Sequence, residues 1–209
     1  KNIFSKLNIL IDQIICSSYA KSINYKNNLS LSGHVSFIDV GFNKTSIISY
    51  LDSKIVSIDI LPIGGNHITK DISAVLKIDM DSSEQIKLNF DQNPKILNEQ
   101  NISTDILQKI IFARTEEILE LSTKSIKSNL LLTDIFKMIL TGEGSRILDN
   151  NYKDKNFFQK DIDFLEETLE DICHSGFKFI SELNKQEVVV VPKKPTKQGF
   201  FEKLFHLFR

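Results

Sequence analysis

Apolar residues recur with a strand-like pattern in the first third of the chain. The stretch 34–41 is an apolar run that ends at a glycine, whereas the stretches 45–52 and 54–63 alternate apolar and polar residues. A period of two places one face of each strand against a core. The turn Asp52-Ser53 separates the last two stretches. The pattern therefore predicts a three-stranded meander.

A helical period follows the Gly64-Gly65 pair. Residues 66–78 place four apolar side chains on one helix face, namely Ile68, Ile72, Val75 and Leu76. Residues 81–84, with the sequence DSSE, resemble a capping box that opens a second helix. Residues 91–102 are polar and predict a connection.

A long helix is predicted at about 103–127, with one stripe made of Ile106, Ile110, Ala113, Glu117, Leu121 and Lys124. Residues 136–145 predict a strand that enters a glycine-containing turn, and 161–183 predict another helix. Near the start, 12–16 predict a short strand before a helix at 17–23. Strands and helices in this order indicate an α/β fold.

Residues 199–209, with the sequence GFFEKLFHLFR, have the pattern of an amphipathic helix. One face carries Phe200, Phe201, Leu204, Phe205 and Phe208. The preceding segment contains two prolines and, close to them, three lysines, namely Lys193, Lys194 and Lys197. A terminal helix that packs on its own domain is one interpretation. The basic approach favours the other, a helix that lies on an anionic membrane surface.

Composition narrows the function classes. The 209 residues suffice for one domain or two small lobes, and the net charge of −1 gives no indication of nucleic-acid binding. The two cysteines lack metal-ligand spacing. With no secretory signal and no apolar run long enough to span a bilayer, we expect a cytoplasmic protein. Because the chain begins with Lys1 rather than Met, we expect a fragment or a trimmed product.

Two strand-to-turn motifs carry the candidate chemistry. The first, FIDVGFNKTSIISY, places Asp39 at the end of an apolar strand before a tight turn. Backbone N–H groups of such a turn can hold phosphate oxygens, and the carboxylate can orient a water or hydrated Mg²⁺. The second, ILTGEGS, places glycines after a strand, where a ligand can approach the backbone. Each motif alone is also compatible with an ordinary turn.

Together the motifs resemble the FtsA family of bacterial cell-division proteins, which belongs to the actin-like ATPases. The family segments correspond here to FIDVGFNKTS, LPIGGNHITKDIS, EQIK, ARTEEI and LTGEGS, and the family also ends in an amphipathic membrane helix. The resemblance implies the C-terminal half of an actin-like, ribonuclease H-like fold, with a mixed sheet flanked by helices.

The same resemblance implies a division of the chain into four segments. Residues 1–30 would be the end of a preceding lobe and a connection, and 31–183 the actin-like C-terminal lobe. Residues 184–198 would be a flexible linker, and 199–209 a membrane-targeting helix. Half of the family's nucleotide site is therefore expected to lie outside this chain.

The resemblance also implies site residues for ATP with Mg²⁺. Asp39 would orient the water that coordinates Mg²⁺, with no direct metal ligand, and the nucleotide would be contacted by Gly41, Asn43, Lys44, Thr45, Arg114, Glu117, Gly142, Glu143 and Gly144. The chain departs from the family at Phe42, Asn43 and Glu143, which replace glycines, so at most a weak ATPase is expected. Glu84 and Lys87 are interpreted as a surface pair.

The function implied is that of a tether. FtsA proteins hold the division protein FtsZ, through its C-terminal peptide, on the cytoplasmic face of the inner membrane at the division site, recruit other division proteins and self-associate into filaments. The expected membrane contacts are Phe200, Phe201, Lys203, Leu204, Phe205, Phe208 and Arg209. The alternatives are an ATP-hydrolysing actin-like switch and a pilus-assembly actin-like protein.

Overall fold

A computed structural model describes residues 2–11, 13–29, 32–90, 102–129, 136–147 and 162–182. The helices are α1 (Asn2–Lys6), α2 (Ser17–Leu29), α3 (Gly65–Leu76), α4 (Met80–Asn89), α5 (Thr104–Asn129) and α6 (Leu169–Glu182). The strands are β1 (His34–Val40), β2 (Thr45–Leu51), β3 (Lys54–Leu61), β4 (Lys137–Thr141) and β5 (Ile162–Phe164). Residues 91–101 of the predicted connection at 91–102, the linker and the membrane helix lie outside the described residues.

The strands form one mixed sheet in the order β3-β2-β1-β4-β5. The first three strands are the predicted meander, with antiparallel pairing of β1 to β2 and of β2 to β3. Strand β4 runs parallel to β1, and β5 runs parallel to β4. Because parallel strands need long crossovers, the helices between β3 and β4 return the chain to the same sheet. The expected mixed sheet flanked by helices is confirmed.

The side chains on the two faces of β1 pack into two different apolar clusters. Ile38 and Val40 pack toward α5, whereas Val35 and Phe37 pack toward Tyr25 of α2. Side chains alternate along a strand, so Asp39 points to the α2 side, beyond Val35 and Phe37. The carboxylate thus ends a buried apolar row at the C-terminal end of the strand.

Helices α3, α4 and α5 share a third apolar cluster, formed by Ile68, Ile72, Ile86, Leu107 and Ile111. Helix α4 begins two residues earlier than the predicted capping box. Its N-cap is Asp79, whose Oδ1 accepts a hydrogen bond of 2.8 Å from the Ser82 backbone N–H. The start of the helix was predicted too late, because Asp79, two residues before the DSSE sequence, provides the cap.

The buried stripe of α5 differs from the predicted one. The fully buried residues are Leu107, Ile111, Thr115, Ile118, Leu119, Ser122 and Ile126, whereas Ile106 is exposed. The Ser122 hydroxyl is satisfied by the Ile118 carbonyl at 2.7 Å. Most of the buried residues are Leu or Ile, and the predicted stripe missed them because it ran beside this face and included the charged Glu117 and Lys124.

Two further expectations are wrong. The predicted helix at 161–183 begins with strand β5 and becomes helical only from Leu169, and residues 13–16 form no strand. A three-residue strand is too short for a period-two signal. Together with α6, strand β5 forms a βα unit that follows β4 in the chain.

Helices α2 and α6 pack against each other through polar groups. The Asn24 amide donates to the Ser175 hydroxyl at 3.1 Å, and Lys178 Nζ donates to Asn24 Oδ1 at 3.2 Å. Tyr19 and Phe179 add an edge-to-face contact with ring centroids 5.2 Å apart. This interface holds α2 with Lys21 and Ser22 buried against the rest of the fold.

Candidate functional site

Three loops meet where β1 and β4 end. The Gly65 and Asn66 N–H groups at the start of α3 donate to the Gly41 and Phe42 carbonyls at 3.0 and 2.7 Å. The Gly144 N–H donates to the Val40 carbonyl at 2.9 Å. The hairpin after β1 is therefore tied by backbone hydrogen bonds to both neighbouring loops.

Glycine at position 142 is required by this close approach. Its φ is +88°, in the left-handed region, and a Cβ there would lie 2.4 Å from Asp39 Oδ1. An L side chain would be strained and would also displace the carboxylate. The second glycine motif thus brings the β4 loop against the acid of the first motif.

A cleft of about 640 Å³ opens beside these loops. The hairpin contributes Gly41 and Phe42, the start of α3 contributes Gly65, and α4 contributes residues near Lys87. The remaining walls are the segments 142–147 and 164–167. Four glutamates line the cleft, namely Glu84, Glu143, Glu166 and Glu167, against two basic side chains, Lys87 and Arg146. The carboxylates of the lining therefore outnumber its basic side chains, although Glu84, Glu143 and Glu167 each have a basic partner.

Asp39 is enclosed by its own protein partners. Its Oδ2 accepts a hydrogen bond from the Ser18 hydroxyl, and its Oδ1 lies 3.0 Å from Lys21 Nζ. Lys21 is only 4% exposed and also pairs with Glu167 Oε2 at 2.8 Å. One buried ammonium thus joins two carboxylates from distant parts of the chain.

Glu167 has a partner on each of its oxygens as well. Its Oε1 accepts from the Tyr25 hydroxyl at 2.8 Å, and its Oε2 also accepts from the Gly142 N–H at 3.1 Å. Burial, and then the hydrogen bond to Glu167, raise the pKa of Tyr25 above its ordinary value. The phenol therefore remains a donor at physiological pH.

Lys87 forms a second buried cationic centre. Its Nζ contacts Glu84 Oε2 at 2.6 Å, the Thr69 hydroxyl at 2.8 Å and the Gly65 carbonyl at 3.2 Å. The ammonium also lies 5.9 Å from the centroid of the Phe42 ring, at the rim of the cleft. The expectation of a surface pair for Glu84 and Lys87 is wrong, because helix packing buries the lysine.

The structure divides the predicted nucleotide contacts into two groups. Gly41, Gly142, Glu143 and Gly144 line the cleft together. Glu143 is exposed there and pairs with Arg146 Nη1 at 3.2 Å.

The other predicted contacts do not line the cleft. Thr45 is buried and donates to the Ile63 carbonyl at 2.7 Å, and Asn43 accepts from the Asn66 amide at 2.9 Å. Lys44 is exposed. Arg114 pairs with Glu117 and with Asp71 of α3, and hydrogen bonding to Asp71 raises the pKa of Arg114.

Comparison with known proteins identifies the family. The model of the cell division protein FtsA family matches residues 36–183, which include all of the sheet except the first two residues of β1, the cleft and α6. The chain belongs to the FtsA family.

Similar proteins agree with that assignment. The cell division protein FtsA of Buchnera aphidicola subsp. Acyrthosiphon pisum is 26% identical over 96% of this chain and 55% of its own length. The chain thus spans about half the length of this curated FtsA relative.

Among solved structures, MreB 5 of Spiroplasma citri bound to AMPPNP has a TM-score of 0.61 at 14% identity, covering 88% of this chain and 63% of that chain. The PilM–PilN type IV pilus biogenesis complex has a TM-score of 0.54 at 15% identity, covering 84% and 52%. The actin-like fold is confirmed.

The side chains around Asp39 do not fit Mg²⁺ with a polyphosphate. Mg²⁺ needs oxygen ligands or ordered waters in octahedral geometry, yet both oxygens of Asp39 have protein partners. The N–H groups of Gly65 and Asn66, which could otherwise meet a phosphate, are bonded to the hairpin. Within the described residues, no group of three or more His, Cys, Asp or Glu side chains could hold a metal ion.

Lys21 and Glu167 are the site residues that sequence reasoning missed in this FtsA-family chain. One signal for Lys21 was available, because Ser18, Lys21, Ser22 and Tyr25 follow the i, i+3, i+4, i+7 spacing of a single helix face. Such a polar stripe on a packed helix indicates a buried polar network. Glu167 lies 146 residues from Lys21, and no local pattern marks it.

Proposed function

We propose that this chain acts as an FtsA-type tether that holds FtsZ on the cytoplasmic face of the inner membrane, at the division site, and recruits other division proteins. The observation that carries the proposal is the family match over 36–183, followed along the chain by the amphipathic segment 199–209. The described part of the chain contains no helix that is long and apolar enough to cross a bilayer. Attachment through the amphipathic segment is therefore the route proposed.

The segment is suited to reversible attachment. Burial of each Phe or Leu contributes about 1.5–3 kcal/mol at most, whereas ordering costs about 1–2 kcal/mol per residue. A single copy is therefore a weak anchor. Self-associated copies would bind the membrane together, so that their avidity exceeds the affinity of one segment by a large factor.

The membrane contact can be tested by co-sedimentation of the full chain with vesicles that contain anionic phospholipid. We expect binding that weakens at high salt, because the lysines and Arg209 contribute electrostatic attraction. Deletion of 199–209 should abolish it. Unchanged binding after the deletion would contradict the anchor.

A pair of matched double variants separates the apolar face from the polar face. Phe201→Ser with Phe205→Ser removes two rings from the stripe and should reduce binding by at least tenfold. Glu202→Ser with His206→Ser makes the same number of changes on the other face and should leave binding within about threefold. Equal losses in the two variants would show that the stripe does not contact lipid.

An ATP-hydrolysing switch is the second candidate, and the contacts of Asp39 argue against it. A water-orienting acid must face the ligand, whereas Asp39 accepts from Ser18 on Oδ2 and has the buried Lys21 ammonium 3.0 Å from Oδ1. The likeness to the pilus complex extends to the fold, at 15% identity. Neither candidate accounts for an aromatic amphipathic segment after the lobe.

A further inference from the structure

The arrangement of Lys21 differs from that of an ordinary surface ion pair. Its ammonium is buried and lies between Asp39 and Glu167 at 3.0 and 2.8 Å. The side chains of all three residues are at least 86% buried. An uncompensated carboxylate at such a depth would be costly, so the ammonium is the counter-charge that permits both acids to remain ionised.

Other groups of the protein also donate to the two carboxylates, both to the oxygens that the ammonium does not contact and to Glu167 Oε2, which it does contact. Ser18 donates to Asp39 Oδ2, Tyr25 donates to Glu167 Oε1, and the Gly142 N–H donates to Glu167 Oε2. A divalent cation would have to displace these donors and approach a positive charge only a few ångströms away. Coulomb repulsion at that distance is strong in a partly buried site.

We propose that Lys21 serves as a built-in cation beside Asp39, in place of a divalent metal ion, so that the cleft of this chain takes no Mg²⁺–nucleotide. The network joins α2, β1, the Gly142 turn and the segment before α6. It fixes the wall of the cleft in one arrangement without a ligand. The carboxylates that line the cleft outnumber its two basic side chains, and this excess adds to the repulsion against a polyphosphate that arrives without metal.

The first test measures metal binding by the wild-type chain. Mn²⁺ is the probe, because its free-ion paramagnetic resonance signal falls when it binds. The wild-type chain should show no saturable Mn²⁺ site below about 1 mM, a range in which protein carboxylate sites bind hard cations. Its melting temperature should also be the same with and without Mg²⁺–ATP.

Lys21→Met removes the charge and keeps an unbranched side chain, which leaves two carboxylates uncompensated. This variant should gain one Mn²⁺ site, and Mn²⁺ at ten times its Kd should raise the melting temperature by about 3 °C or more. Adding Asp39→Asn should remove the new site. If the folded single variant gains no Mn²⁺ site, the proposal is overturned.

The wild-type chain provides a test even where Lys21→Met does not fold. A saturable Mn²⁺ site in wild type that is lost in Asp39→Asn would overturn the proposal directly, as would an Asp39-dependent stabilisation by Mg²⁺–ATP. Absence of the Mn²⁺ site supports it, because Asp39 and Glu167 both lie within this chain, whereas a half site alone would also explain the absence of an Mg²⁺–ATP effect. These readouts do not involve residues 199–209, so failure of the membrane tether and failure of the built-in cation are distinguishable.

Discussion

Arg114 of α5 and Asp71 of α3 form a two-point ion pair, with Nε to Oδ2 at 2.6 Å and Nη2 to Oδ1 at 2.9 Å. A planar guanidinium matches a carboxylate in this way, which a lysine cannot reproduce. The pair lies 43 residues apart in sequence. It therefore fixes the long helix against the first helix that follows the meander.

Loss of this pair should destabilise the lobe by a measurable amount. We expect Arg114→Ala to lower the free energy of unfolding by roughly 1–2 kcal/mol, because the pair is half-buried and doubly hydrogen-bonded. Urea denaturation would measure the change. The control is Lys109→Ala, which breaks the ion pair between Lys109 and Asp105 on the same helix. Because the Lys109 side chain is 75% exposed, this change should cost less than about 0.5 kcal/mol. Equal costs would contradict a structural role for the Arg114 pair.

Gly142 and Gly176 should respond in opposite directions to alanine. Gly142→Ala places a methyl group against Asp39 at a positive φ, and we expect a loss of roughly 2 kcal/mol or more. A Cβ on Gly176, inside α6, meets no atom within 4 Å beyond its chain neighbours and the backbone of its own helix. Gly176→Ala should therefore stabilise by up to about 1 kcal/mol through helix propensity. Thermal unfolding of the two variants measures both signs, and a neutral Gly142→Ala would refute the close approach.

The Asp79 cap of α4 predicts a pH dependence. Hydrogen bonds from the Ser82 hydroxyl and N–H lower the pKa of Asp79 below its ordinary value of 3.8. A folded-state pKa below the unfolded one contributes stability above pH 3.8, and this contribution is lost as the pH falls through the folded value.

Asp79→Ala should therefore lower the melting temperature by a few degrees at pH 7. The gap to wild type should narrow as the pH is lowered below 3.8. Asp81→Ala, within the first turn of the same helix, is the matched control and should show a smaller gap at pH 7. A gap that stays constant between pH 7 and pH 3 would argue against the cap.

Local patterns predicted much of this fold. The meander followed from alternation and from the Asp52-Ser53 turn, and α3 followed from its apolar face. Strand β5 was missed because three residues carry no periodicity. The predicted stripe of α5 ran beside the buried face, because it included the charged Glu117 and Lys124, and Thr115 and Ser122 weaken the apolar signal of the face that is buried.

The site was only partly predictable, for a different physical reason. Gly142 and Asp39 were recognised from their motifs, and the structure brings them into contact. The partners of Asp39 come from α2 and from the segment before α6, so their roles depend on long-range packing. Lys87 was misjudged because its i, i+3 spacing to Glu84 is the same for a surface pair and for a buried one.

The tether is tested most directly by asking whether this chain brings FtsZ to lipid. A fluorescent peptide with the FtsZ C-terminal sequence is mixed with anionic vesicles and the 209-residue chain, and the peptide in the pellet is measured after centrifugation. We predict that the peptide pellets with the full chain and stays in solution when residues 199–209 are deleted. A peptide that remains in the supernatant while the full chain itself pellets would contradict the tether.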